Sequence, residues 1–122
     1  MGSPILLVVD DDEDLLSLIS EVLRLNGFNV ETATNGREAL DRVGGSMPNL
    51  ILLDMTMPVM NGWQFAEAFR ARYGNDVPIV VVTASTDAAL RASQIHAEGW
   101  IGKPFDINQL VSVVGRFLPQ PV

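Results

Sequence analysis

Residues 5–12 read Ile5-Leu6-Leu7-Val8-Val9-Asp10-Asp11-Asp12, five apolar residues running without a break into three carboxylates. The run is too short for a helix. Its Ile, Leu and Val content, without polar alternation, suits a strand covered on both faces in a parallel sheet. The same signature recurs at Leu50–Leu53 and Val77–Val82. Between these runs, apolar residues fall at helical spacing over Asp14–Leu25, Arg37–Val43, Gly62–Tyr73 and Asp87–Ala97, and a last such segment spans Ile107–Leu118. Phe28–Ala33 reads as a more polar strand after the helix-stopping Asn26-Gly27, and Trp100–Lys103 as a short strand after Gly99. Strand and helix therefore alternate five times, which predicts an α/β fold, a doubly wound (βα)5 sandwich around a five-stranded parallel sheet. In such a fold every strand ends on one edge, and ligands bind there where the strand order switches.

A length of 122 residues with 48% hydrophobic content fits one domain with a real core. The net charge of −7 argues against direct binding to nucleic acid or to an anionic membrane surface and favours a cation or a basic protein surface as partner. With no cysteine, disulfides, thiolate metal sites and cysteine nucleophiles are excluded, and a reducing cytoplasm is the expected setting. The longest apolar runs fall far short of the roughly 18 residues of a membrane helix. Met1-Gly2-Ser3 reads as a cloning remnant, and the domain is expected over residues 4–119 with no effector domain attached.

The chemistry-bearing residues all fall at strand ends. Asp10, Asp11 and Asp12 follow the first strand, Asp54 ends the third, Thr83 the fourth and Lys103 the fifth. Carboxylates about 5 Å apart repel by about 3 kcal/mol per pair at an effective dielectric near 20, so this edge calls for cations. A lysine and a hard divalent ion supply them. Mg²⁺ fits best, since it takes a few carboxylates and leaves room for phosphate oxygens, while neither Cys nor His stands at zinc-ligand spacing. A carboxylate nucleophile, a metal, a lysine and a hydroxyl on one edge are the parts of a phosphoryl-transfer site, where positioning and charge neutralisation are the protein's main task.

Taken together, Val-Val-Asp-Asp-Asp-Glu-Asp at 8–14, Leu-Leu-Asp-Met-Thr-Met-Pro-Val-Met-Asn-Gly at 52–62, Val-Thr-Ala at 82–84 and Lys-Pro-Phe at 103–105 resemble the receiver domains of two-component response regulators. The resemblance covers Ile5 to Leu118. It implies the flavodoxin-like strand order 2-1-3-4-5, with Asp54 as phosphoacceptor and a histidine kinase or histidine phosphotransfer protein as donor. It further implies that Asp11, Asp54 and the Thr56 backbone carbonyl bind Mg²⁺, with Asp10 acting mostly through water, and that Thr83 and Lys103 sense the phosphoryl group. A cis peptide at Lys103-Pro104 is implied as well. A downstream effector or a missing output domain would be met through the face formed by the fourth helix, fifth strand and fifth helix. Ala89, Leu90, Ala92, Ile95 and Trp100 are the expected apolar contacts of that face. The domain would act as a monomer or as a phosphorylation-dependent dimer.

Two features depart from the family pattern. The stretch from Thr83 to Lys103 is about two residues short, and Trp100 stands where a smaller aromatic usually switches together with the threonine. A phosphatase of the haloacid-dehalogenase type also uses a strand-end Asp with Mg²⁺, but Asp54-Met55-Thr56-Met57-Pro58 lacks the second Asp needed as acid/base. A nucleotide-binding module of the same shape would need a Gly-rich loop after the first strand, which is absent. A phosphorylation-independent pseudoreceiver or protein-interaction module of the same fold is the remaining alternative, and the full set of acidic positions and the lysine argue against it. Plainer roles suit several neighbours. Asp12 and Glu13 favour the positive end of the first helix, Met55, Met57 and Met60 pack the loop, Trp63 lies on a helix near the site mouth, and His96 is a surface residue.

Overall fold

The structure, a computed structural model, describes residues 4–84 and 87–118. Met1-Gly2-Ser3 and the expected boundary at 119 lie outside the described residues. Ten elements alternate along the chain: β1 (Ile5–Val9), α1 (Glu13–Leu25), β2 (Asn29–Ala33), α2 (Gly36–Gly45), β3 (Leu50–Asp54), α3 (Gly62–Tyr73), β4 (Ile79–Thr83), α4 (Ala88–Gln94), β5 (Gly99–Gly102) and α5 (Ile107–Phe117). The strands pair in parallel in the order β2-β1-β3-β4-β5, as the resemblance implied.

Side chains alternate across each strand, and the sheet sorts them into two cores. Leu7, Val9, Ile51, Leu53, Ile79 and Val81 pack with Leu40 and Val43 of α2, Phe65 and Phe69 of α3 and Ala92 of α4. Leu6, Val8, Leu50, Leu52, Val80 and Val82 pack with Leu16, Ile19 and Leu23 of α1 and Leu110, Val113 and Val114 of α5. The three central strands are thus coated on both faces, the physical reason for their unbroken apolar runs. Phe65 and Phe69 are fully buried with ring centroids 5.6 Å apart, and truncation of either would cost about 3–5 kcal/mol.

Element ends follow local chemistry. The Asp12 side chain caps α1 by accepting from the Leu15 amide, and Asn61 and Gln64 form a reciprocal capping box on α3. At the end of α1, Gly27 adopts φ +88° while the amides of Gly27 and Phe28 donate to the carbonyls of Arg24 and Leu23. The same closure ends α4 earlier than the periodicity predicts. His96, at φ +54°, takes the left-handed position, and the Ala97 amide donates to the Ala92 carbonyl at 2.8 Å. No glycine marks that turn, so the apolar pattern runs on past it. β4 begins at Ile79 instead of Val77, because Pro78 has no amide to donate to the ladder.

One expectation for the α4 face is corrected. Ala92 and Ile95 do not lie on an outward surface but are buried in the core shared with α3, while Ala89, Leu90 and Trp100 are exposed. Positions 88, 92 and 95 share one stripe of the helix, and that stripe packs onto the sheet.

Candidate functional site

The crossover from β1 runs to β2 on one side, whereas β3 lies on the other, so the loops after β1 and β3 diverge and leave a crevice at the C-terminal edge. Asp10 follows β1 with its amide held by the Ala33 carbonyl, Asp54 closes β3, and Thr83 closes β4. The Lys103 amide donates to the Thr83 carbonyl at 2.7 Å, which fixes where the lysine leaves the sheet. Residues 55–61 are clamped at two glycines: the Gly62 amide donates to the Met55 carbonyl and the Gly36 amide to that of Met60. A Cβ on Gly62 would stand 2.7 Å from Met55 Cα and 2.8 Å from the Asp54 carbonyl oxygen, a gap only glycine leaves open. Met55 and Met57 are buried and Met60 is partly so, in keeping with packing roles.

The electrostatics follow from this placement. Asp10 is buried; its Oδ1 accepts from the Asp12 amide at 2.9 Å and its Oδ2 from Lys103 Nζ at 2.8 Å. Lys103 Nζ also stands 3.9 Å from Asp54 Oδ1. Carboxylate oxygens of Asp10, Asp11 and Asp54 lie within 4.8 Å of one another. Burial, reinforced by the negative charge of Asp10, raises the Asp54 carboxyl from 3.8 to about 6, while Lys103 and the Thr56 amide pull the other way. The lysine alone therefore leaves the cluster short of positive charge. The donors are all hard oxygens close enough to share one divalent cation directly or through its bound waters, which fits Mg²⁺, an ion that keeps several waters.

A cavity of about 480 Å³ opens on this edge, lined by Asp54, Met55, Thr56, Trp63, Thr83, Ala84, Arg91 and Lys103. The structure thus brings Asp10, Asp11, Asp54 and Lys103 into one cluster and Thr56 and Thr83 onto the wall of the same cavity. The Lys103-Pro104 peptide is cis, as the resemblance implied. Trp100 does not join the cavity wall; it stands half exposed on β5, paired in register with Val81. His96 is exposed, as expected. Trp63 does lie at the mouth, and sequence reasoning missed its neighbour Arg91 on α4. Nothing in the spacing marks Arg91, because only the packing of α4 beside α3 brings a helix-borne cation to a strand edge.

Comparison with known proteins agrees with this geometry. The sequence matches the family described as response regulator receiver domain over residues 6–115. Transcriptional regulatory protein PrrA of Mycobacterium leprae is 41% identical over 120 residues, covering 97% of this chain and 51% of that protein. DNA-binding response regulator MtrA of Mycolicibacterium paratuberculosis is 40% identical over 111 residues, covering 89% of this chain and 48% of that protein. The chain thus spans about half the length of these relatives. Among solved structures, chemotaxis protein CheY4 of Vibrio cholerae superposes with a TM-score of 0.87 at 32% identity, over 96% of this chain and 100% of that one. Response regulator TrrA of Thermotoga maritima, in complex with Mg²⁺-BeF, gives 0.84 at 30% identity, over 94% and 99%. A match over nearly all of the sheet and helices, with the acidic cluster and the lysine on the expected edge, leads to one assignment: the chain belongs to the response regulator receiver domain family.

Proposed function

We propose that this receiver domain takes a phosphoryl group onto Asp54 and assists that transfer with its own residues. The observation that carries the reading is the Asp54 carboxylate at the end of β3, grouped with Asp10 and Asp11 and 3.9 Å from Lys103. A carboxylate oxygen of Asp54 forms a bond to phosphorus as the donor's P–N or P–O bond breaks, and the electron pair departs with the leaving group. Lys103, already ion-paired to Asp10, is placed to neutralise a phosphoryl oxygen, and the Thr83 hydroxyl to donate to another. Asp10, Asp11, Asp54 and the Thr56 carbonyl are the residues that would hold Mg²⁺. When bound, Mg²⁺ supplies neutralisation of the charge shared by Asp54 and the incoming group.

The donor is a histidine kinase or a histidine phosphotransfer protein. The output is relayed through the α4-β5-α5 face, where Leu90 and Trp100 are exposed, by a shift in a pre-existing equilibrium or by dimerisation. Among the described residues no helix is long and apolar enough to cross a membrane. Intact mass after incubation with Mg²⁺ and acetyl phosphate tests the reading. One phosphoryl addition, absent with EDTA and in Asp54→Ala, supports it; folded protein that binds Mg²⁺ yet gains no mass from acetyl phosphate or from any phosphohistidine donor favours a pseudoreceiver.

A further inference from the structure

We infer that Arg91 is a second phosphoryl-binding cation of this site, held over the Trp63 ring until the phosphoryl group arrives; this inference rests on Asp54 being the phosphoacceptor. Two observations carry it. Arg91 lines the same cavity as Asp54, Thr56, Thr83 and Lys103, although it belongs to α4 and to none of the strand ends that make up the acidic cluster. Its guanidinium carbon stands 5.5 Å from the centroid of the Trp63 ring, a cation–π arrangement at the mouth, and the ring is pinned by a 2.9 Å hydrogen bond from Trp63 Nε1 to Gln94 Oε1. The described ion pairs, Arg70–Glu98, Lys103–Asp10 and Lys103–Asp54, do not include Arg91.

Charge counting gives this placement a purpose. Before phosphorylation, three carboxylates face one lysine, and a divalent cation brings the cluster to neutrality. Phosphorylation replaces the single charge of Asp54 with about two on the phosphoryl oxygens, so one negative charge is added. Lys103 and the metal are then already spent, and Arg91 is the other cation on the described cavity wall. Guanidinium is suited to the task, because its planar fork matches two phosphoryl oxygens and it stacks on an aromatic face at little hydration cost. Movement of Arg91 from the Trp63 ring to the phosphoryl group would pull on α4 directly, adding a link between the phosphorylated edge and a helix of the output face.

The test uses the whole chain with beryllofluoride as the phosphoryl probe and Mg²⁺ alone as the reference ligand, both followed by calorimetric titration. Arg91→Gln is expected to weaken beryllofluoride binding by about tenfold, Arg91→Lys to weaken it by about threefold because the charge is kept while the two-pronged fork is lost, and the affinity for Mg²⁺ alone to be unchanged or higher. Equal beryllofluoride affinity in Arg91→Gln and wild type overturns the role of Arg91 while leaving Asp54 as phosphoacceptor. Parallel losses of beryllofluoride and Mg²⁺ affinity in both variants also overturn it, since they mark a structural effect on the site. Wild-type protein that binds Mg²⁺ but no beryllofluoride overturns the phosphoacceptor reading itself, and this inference with it.

Discussion

Replacing Asp54 with Asn should make the folded domain more stable in EDTA, by an amount that grows with pH. The carboxyl sits at about 6 in the folded chain against an ordinary 3.8, raised first by burial and then by Asp10. Between those two values the folded state binds more protons than the unfolded one, so stability falls as pH rises through that window and the loss is complete above about 6. At about 1.4 kcal/mol per tenfold change in proton affinity, ionised Asp54 costs the fold up to about 3 kcal/mol. The side chain is only 8% exposed, so solvent screening removes little of this. Asn keeps the shape and removes the charge. Urea unfolding at pH 8 should therefore give Asp54→Asn an advantage of about 3 kcal/mol, shrinking to about 1 kcal/mol at pH 4.5, where the wild-type carboxyl is already mostly protonated. Saturating Mg²⁺ should stabilise wild type more than the variant, because it binds the carboxylate form of the folded state. A gain independent of pH, or a loss of stability at pH 8, would refute the claim that Asp54 is held in a charge-deficient, desolvated site.

Lys103→Met should cost about 3 kcal/mol at pH 7 without Mg²⁺, because it leaves the buried Asp10 carboxylate without its 2.8 Å partner; the added Asp10→Asn change should restore most of the loss, as read by urea unfolding. Gly62→Ala should destabilise by about 2 kcal/mol or more, since its Cβ meets backbone atoms of Met55 and Asp54, whereas Gly45→Ala, with nothing within 4 Å, should be neutral or slightly stabilising. Chemical denaturation of the pair side by side separates close approach from helix propensity. Val59 holds φ +69° with a β-branched and exposed side chain, so Val59→Asn should raise stability by about 1 kcal/mol in the same assay.

The sheet was legible because burial on both faces writes itself into sequence as unbroken apolar runs, and Ile5–Val9 and Gly62–Tyr73 were placed to the residue. The end of α4 was not, because a histidine carries out the left-handed turn that sequence reading expects of glycine. Burial of Ala92 and Ile95 was missed for a related reason: with α4 read too long, its inward stripe could not be told from its outward one. Asp10, Asp11, Asp54 and Lys103 were legible because strand ends of a parallel sheet must share an edge, so order along the chain becomes proximity in space. Arg91 had no such rule to reveal it. Its position beside Trp63 depends on how α3 and α4 pack, which periodicity does not encode.

The most direct test of the account is chemical. An acyl phosphate on Asp54 is open to hydride reduction at its carbonyl carbon, so treatment of phosphorylated protein with borohydride followed by peptide mass mapping should show residue 54 converted to homoserine, in samples given Mg²⁺ and a phosphodonor and in no EDTA control. Conversion confined to residue 54 is the predicted result; a stable phosphoryl group on a hydroxyl such as Thr56 or Thr83, with Asp54 untouched, would contradict it.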